Sequence, residues 1–153
     1  MIRVIIIYFI FMPATVLSQT YINKTRVRVK KELEKFSLEN DSLKTIFKET
    51  DSTLTFLIRD SRFSPADFFY RFDKSGKCTM EKTTASCDSC IHTYLQTALN
   101  RKEYEWKKIN ETQYISGFSK KMFLEIPDDS AAHSFMIFRA NLSKEMYTVL
   151  RGK

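Results

Sequence analysis

Apolar residues recur at two different periods along this chain, and the switch between them sets out the expected elements. In Thr20–Phe36, the residues Ile22, Val29, Leu33 and Phe36 stand at helical spacing among polar neighbours, which predicts an amphipathic helix. Ser37–Ser42 is a polar break. Lys44–Glu49 and Thr53–Arg59 read as strands around Thr50-Asp51-Ser52. In the second, Leu54, Phe56 and Ile58 alternate with Thr53, Thr55 and Leu57. Ser61–Pro65 is a loop. Asp67–Asp73 alternates again, with Phe68, Tyr70 and Phe72 on one face. Lys74-Ser75-Gly76 is a tight turn in which Gly76 supplies the positive φ, and Lys77–Thr84 returns as the paired strand. Cys87–Arg101 predicts a second helix, capped by Ser86 or Asp88, with Ile91, Leu95, Ala98 and Leu99 as its apolar stripe.

Tyr104–Ile109 and Gln113–Phe118 form an expected hairpin around Asn110-Glu111-Thr112. Met122–Ile126 and His133–Ala140 form another across Pro127-Asp128-Asp129-Ser130. Leu142–Leu150 satisfies both periods: Ser143 suits the cap of a short helix, while Met146, Thr148 and Leu150 alternate as in a strand. The order helix, four strands, helix, three or four strands predicts a single α+β domain over residues 19–153, with two helices packed on one face of an antiparallel sheet. The two halves share an element order, which hints at a pseudo-repeat without residue-level similarity.

The first residues change the picture most. Arg3 precedes Val4–Leu17, which carries no charge, is shorter than the ~20 residues of a spanning helix and contains Pro13. A basic start, an apolar middle and small residues at Val16 and Ser18 predict a signal peptide over 1–18, cut before Gln19. No later apolar run reaches spanning length, so the mature chain is expected to be secreted or periplasmic, without a transmembrane segment. The formal net charge is +7, and loss of Arg3 with the leader leaves +6. That excess suits anionic partners. However, Lys24, Arg26, Arg28, Lys30, Lys31 and Lys35 share a predicted helix with Glu32 and Glu34, the pattern of a solvated face. No nucleic-acid-binding module is recognisable, so nucleic acid is not an expected partner.

The export signal ending in Leu17-Ser18-Gln19 and the strand Tyr104-Glu105-Trp106-Lys107-Lys108-Ile109-Asn110 resemble small exported proteins of Bacteroidetes-type bacteria. The resemblance covers about a fifth of the chain and carries no known active site. The element order is similar to secretion-chaperone-like and outer-membrane-assembly accessory domains, a likeness of fold that does not fix function. Four of the Asn residues, Asn23, Asn40, Asn110 and Asn141, lie in Asn-x-Ser/Thr triplets, which would be glycan acceptors in a eukaryotic secreted protein.

The three cysteines are Cys78, Cys87 and Cys90. In an exported protein cysteines usually pair, and three leave one over. One expectation is a structural bridge from Cys78 to Cys87 or Cys90 that pins the second helix onto the sheet. A second is thiol–disulfide chemistry at Cys87-Asp88-Ser89-Cys90, since a helix amino terminus stabilises a thiolate. Asp88 opposes that effect, and the preceding hairpins differ from the βαβ setting of thioredoxin-like enzymes. A third is zinc held by Cys78, Cys87, Cys90 and His92, with irregular spacing. Haem attachment fails because Ile91, not His, follows Cys90.

Other chemistries are excluded by pattern. Ser75-Gly76-Lys77 supplies only the end of a Walker A loop, and neither a dinucleotide fingerprint nor a nucleophile elbow is present, so no cofactor is expected. Asp128-Asp129, Glu103 and Glu105 fit solvated surface better than an acid/base pair. Tyr104, Trp106 and Tyr114 beside Lys107 and Lys108 are a candidate aromatic patch for a glycan or peptide, although aromatics at period two are more often core. The leading expectation is a non-catalytic binding or accessory protein with a protein, peptide or glycan partner in the cell envelope or outside the cell. The alternative is a thiol–disulfide oxidoreductase using Cys87 and Cys90.

Overall fold

The computed structural model describes residues 19–60, 65–127 and 133–152. The leader, most of the loop after Arg59 and the turn Asp128-Asp129-Ser130 lie outside the described residues. The elements are α1 (Arg26–Glu39), β1 (Thr45–Glu49), β2 (Thr53–Ile58), β3 (Ala66–Phe72), β4 (Cys78–Ala85), α2 (Asp88–Leu99), a 3₁₀ turn (Lys102–Tyr104), β5 (Lys107–Lys108), β6 (Gln113–Ile115), β7 (Met122–Glu125), β8 (Ser134–Arg139) and α3 (Lys144–Gly152). The strands make one 8-stranded sheet in the order β1-β2-β3-β4-β8-β7-β6-β5. Every pairing is antiparallel. The protein is therefore α+β. Its sheet is mirrored: each half is a helix followed by a four-strand meander, and the last strands of the two meanders, β4 and β8, pair at the centre.

Register assigns the faces. Phe47, Phe56, Phe68, Thr83 and Phe135 stand in one cross-strand row. That inner face packs with Val29, Leu33 and Phe36 of α1 and with Ile91, Tyr94, Leu95 and Ala98 of α2 in the main core. Phe56 is the hub of an aromatic chain: its ring centroid lies 6.0 Å from Phe36, 4.9 Å from Phe47 and 6.3 Å from Phe68, and Phe68 lies 5.5 Å from Tyr94 of α2.

Three expectations need correction. The first helix starts at Arg26, not Thr20. Thr25 caps it by accepting from the Arg28 amide at 3.4 Å, and the preceding residues are held against the β3–β4 turn. There Asn23 donates to the Cys78 carbonyl at 2.9 Å, Cys78 donates to Lys24 at 2.8 Å and Arg26 donates to Gly76 at 2.8 Å. The strand expected over Tyr104–Ile109 shrinks to Lys107–Lys108, because Lys102–Tyr104 turns as a 3₁₀ helix and Glu105 takes φ 51°. The ambiguous tail is a third helix, with Ser143 Oγ accepting from the Met146 amide at 3.2 Å. This helix breaks the expected two-helix arrangement. Its Tyr147 packs with Ile115 and Phe123. Those residues alternate with the core-facing Tyr114 and Leu124, so α3 covers the opposite face of the sheet at its β6–β7 end.

The expected turn at Gly76 is present with φ 72°. Asp73 Oδ1 accepts from Ser75 N, Ser75 Oγ and Lys77 N at 2.9, 2.7 and 3.0 Å, and its Oδ2 meets Arg139 Nη1 at 3.0 Å. These donors, the Ser75 hydroxyl foremost, hold the Asp73 carboxyl well below the usual carboxylate range.

Candidate functional site

β4 runs out at Ala85, Ser86 turns the chain, and Cys87 is the residue that caps α2, in place of Ser86 or Asp88. With φ −154° and ψ 159°, Cys87 is extended, and its sulfur accepts from the Cys90 amide at 3.2 Å. The Ser89 hydroxyl lies 3.2 Å from the same sulfur. The sulfurs of Cys87 and Cys90 are at disulfide-bond distance, with Cα atoms 5.2 Å apart. Both residues are half-buried. In the reduced form, the Cys87 sulfur would keep two donors beside a helix amino terminus, a setting that favours thiolate.

Asp88 occupies the first turn of α2 with its side chain 89% exposed. His133 Nδ1 lies 2.6 Å from Asp88 Oδ1. The imidazole nitrogen makes no hydrogen bond, so the contact is a close polar approach and not a directed bond. His133 is placed by the central ladder: its carbonyl accepts from the Ala85 amide at 3.0 Å, which extends the β4–β8 pairing to the edge of the cysteine turn. Sequence pattern alone marks His133 as an ordinary strand residue and sets His92 beside the cysteines. His92 is exposed on α2.

The bridge expected from Cys78 is not made. Cys78 is free and buried at the far end of β4, more than ~20 Å from Cys87 at the usual rise per strand residue. Burial pushes its thiol well above the ordinary range, so it is a packing residue. The zinc set of Cys78, Cys87, Cys90 and His92 is likewise not brought together. Among the described residues no group of three His, Cys, Asp or Glu side chains is placed to hold a metal ion.

The candidate aromatic patch faces the core: the rings of Tyr104 and Trp106 lie 6.2 Å apart. Tyr104 is buried, and its hydroxyl accepts from the Thr20 amide at 3.2 Å. Trp106 and Tyr114 are half-buried against the main core, and Lys108 pairs with Glu111 at 2.7 Å.

Among the described residues two acidic side chains are buried, Asp60 just past the end of β2 and Glu81 in the sheet. Glu81 stands mid-way along β4 on the inner face and is 9% exposed. Its Oε1 accepts from Thr20 Oγ1 at 3.0 Å and from the Tyr21 amide. Burial raises its pKa to about 8, against the hydrogen bonds from Tyr21, Thr20 and Ile22. The carboxyl thus fastens the segment before α1 onto the sheet. It is enclosed by core, and we assign it no chemistry.

Protein-family models, curated protein sequences and solved structures all yield no match to this chain. The functional reading therefore rests on the residues themselves.

Proposed function

We propose that Cys87 and Cys90 form a thiol–disulfide exchange site in an exported protein, with Cys87 as nucleophile and Cys90 as resolving thiol. The observation that carries this reading is the pairing of these two cysteines with each other at the start of α2, where the Cys87 sulfur receives the Cys90 amide. A bridge that closes so short a loop ties no distant elements together, and chain-entropy arguments give it only about 2 kcal/mol. Its half-exposed position suits reaction better than bracing.

In the reducing direction, the Cys87 thiolate attacks one sulfur of a substrate disulfide. A Cys87–substrate bond forms, the substrate S–S bond breaks and one substrate thiolate leaves. The Cys90 thiolate then attacks the Cys87 sulfur, restores the internal bridge and expels the second substrate thiolate. Two electrons pass to the substrate, and the two protons lost by the protein thiols match those taken up by the products. A small dithiol reductant returns the protein to its reduced state.

With dithiothreitol as reductant, the protein is expected to accelerate insulin reduction. Cys87→Ser should abolish the acceleration. Cys90→Ser should accumulate a mixed disulfide visible by mass spectrometry, and Cys78→Ala should retain activity. Equal insulin reduction by wild type and Cys87→Ser would remove the proposal. Asp88→Asn, which takes a negative charge from between the thiols, should raise the alkylation rate of reduced Cys87 about two- to threefold at neutral pH, a modest gain because the carboxylate is exposed and screened.

Export belongs to the same proposal. Its support is the leader pattern of residues 1–18, and its test is the amino terminus of the protein from its native source, expected at Gln19. Among the described residues no helix is long and apolar enough to cross a membrane.

A second reading, a non-catalytic binding or accessory protein of the envelope, is favoured by the outer sheet face. The helices α1 and α2 pack on the inner face. Over β1–β4, no described helix joins Phe69 and Met80 on the other face. A face of that kind, with half-buried apolar side chains among polar ones, is suited to receiving another molecule.

A further inference from the structure

Register places two rows of side chains on the outer face. Lys48, Thr55, Phe69, Lys82 and Met136 face one another across β1, β2, β3, β4 and β8. One step along the strands, Arg71, Met80, Phe138 and Phe123 continue across β3, β4, β8 and β7. Phe138 and Phe123 touch, with ring centroids 5.2 Å apart. Phe123 lies under α3, so the uncovered apolar side chains are Phe69, Met80, Met136 and Phe138, a band with Lys48, Arg71 and Lys82 set beside and between them.

Cations outnumber carboxylates on this face, where Glu125 stands opposite Met136 at the β7 end of the first row. Lys48, Arg71 and Lys82 make no ion pair among the described residues. The carboxylate that shares their half of the face, Asp67, is already paired with Arg59 at 2.6 Å. On the α1 side some cations are matched: Arg26 and Lys30 meet Glu49, Arg28 meets Glu32, and Lys35 meets Glu39. Lys48, Arg71 and Lys82 thus set positive charge directly beside the apolar band. At ~4.8 Å per strand, Lys48 and Lys82 stand about 14 Å apart on one row, with Phe69 between them.

We propose that this face docks an acidic protein segment that carries apolar side chains. The inference rests on the second reading, that the outer face is a binding surface, and adds the chemistry of the partner. Carboxylates answer Lys48, Arg71 and Lys82, while apolar side chains cover Phe69, Met80, Met136 and Phe138. The apolar residues are half-buried in the sheet and do not project from it, which suits a segment laid along the face better than insertion into a bilayer. Charge complementarity of this kind makes association sensitive to salt.

Fluorescence anisotropy with three labelled peptides tests the proposal: alternating Glu–Leu, alternating Lys–Leu and alternating Ser–Leu. Phosphatidylglycerol vesicles serve as a fourth probe. The Glu–Leu peptide is expected to bind at least tenfold more tightly than the Lys–Leu peptide and to weaken as sodium chloride is raised. Lys48→Glu/Arg71→Glu/Lys82→Glu should lose at least tenfold of that affinity while keeping the wild-type melting curve. Lys31→Glu/Lys74→Glu/Lys102→Glu, an equal change of charge at exposed sites off this face, should retain it. Equal loss in both triple variants would reduce the effect to net charge and overturn the proposal, as would tighter binding to the vesicles. Equal binding of all three peptides, abolished by Phe69→Ser/Met80→Ser, would reject the acidic partner and keep the face as a binding surface. Absence of binding by every probe would reject the second reading itself.

Discussion

Raising the pH from 5 to 9 is expected to destabilise the protein through Glu81, and Glu81→Gln is expected to remove most of that loss. The ordinary value for this carboxyl is 4.5, and burial lifts it to about 8 in the folded protein. Below pH 4.5 the folded and unfolded states both hold the proton, and the group has no effect on stability. Between 4.5 and about 8 the unfolded chain has released the proton while the folded protein keeps it, so stability falls as pH rises. Above about 8 the folded state ionises too and the loss levels off. The interval of about 3.5 units corresponds to about 5 kcal/mol, large against the 5–15 kcal/mol of a typical domain. The amide introduced by Glu81→Gln would retain an acceptor for Thr20 and Tyr21 without the titration. Urea unfolding at pH 5, 7 and 9 for both proteins provides the check: their difference should grow with pH. Parallel pH profiles would show that Glu81 is not the source.

The second large effect is expected at Phe56. Its side chain is fully buried and contacts the rings of Phe36, Phe47 and Phe68, joining α1, β1 and β3 through one residue. Phe56→Ala should cost about 3–5 kcal/mol, the lost burial plus the cavity left among stiff rings. Phe69→Ala, on β3 but on the half-buried outer face, should cost about 1 kcal/mol. Urea midpoints of the two variants read out the contrast. Similar costs would mean that the outer face is covered as fully as the inner.

What the sequence made legible follows from period and local chemistry. Leu54, Phe56 and Ile58, and then Phe68, Tyr70 and Phe72, alternate strictly because one face is core, and both strands are found where they alternate. Gly76 announces its turn because few other residues take that φ readily. Tertiary contacts decide the rest. Ile22 falls in helical step with Val29, yet residues 23–25 are held out of the helix by the distant β3–β4 turn, and the cap belongs to Thr25. Trp106 sits in an alternating stretch that the left-handed Glu105 interrupts. At the cysteines, the spacing of Cys87 and Cys90 was readable, but their choice of each other over Cys78 depends on the length of β4. The approach of His133 to Asp88 depends on a ladder between strands about fifty residues apart, for which local pattern carries no signal.

That ladder also sets an order of events for a chain made from its amino terminus. The first meander is complete when β4 emerges, but its neighbour β8 is the last strand to be synthesised. Until then the eight residues of β4 form a bare margin, open to the matching margin of any other nascent copy. Glu81 in its middle, aimed toward the interior with Lys82 on the reverse, makes illegitimate zippering between copies costly during that wait. The same carboxyl that weakens the finished protein at alkaline pH thereby guards the unfinished one against aggregation.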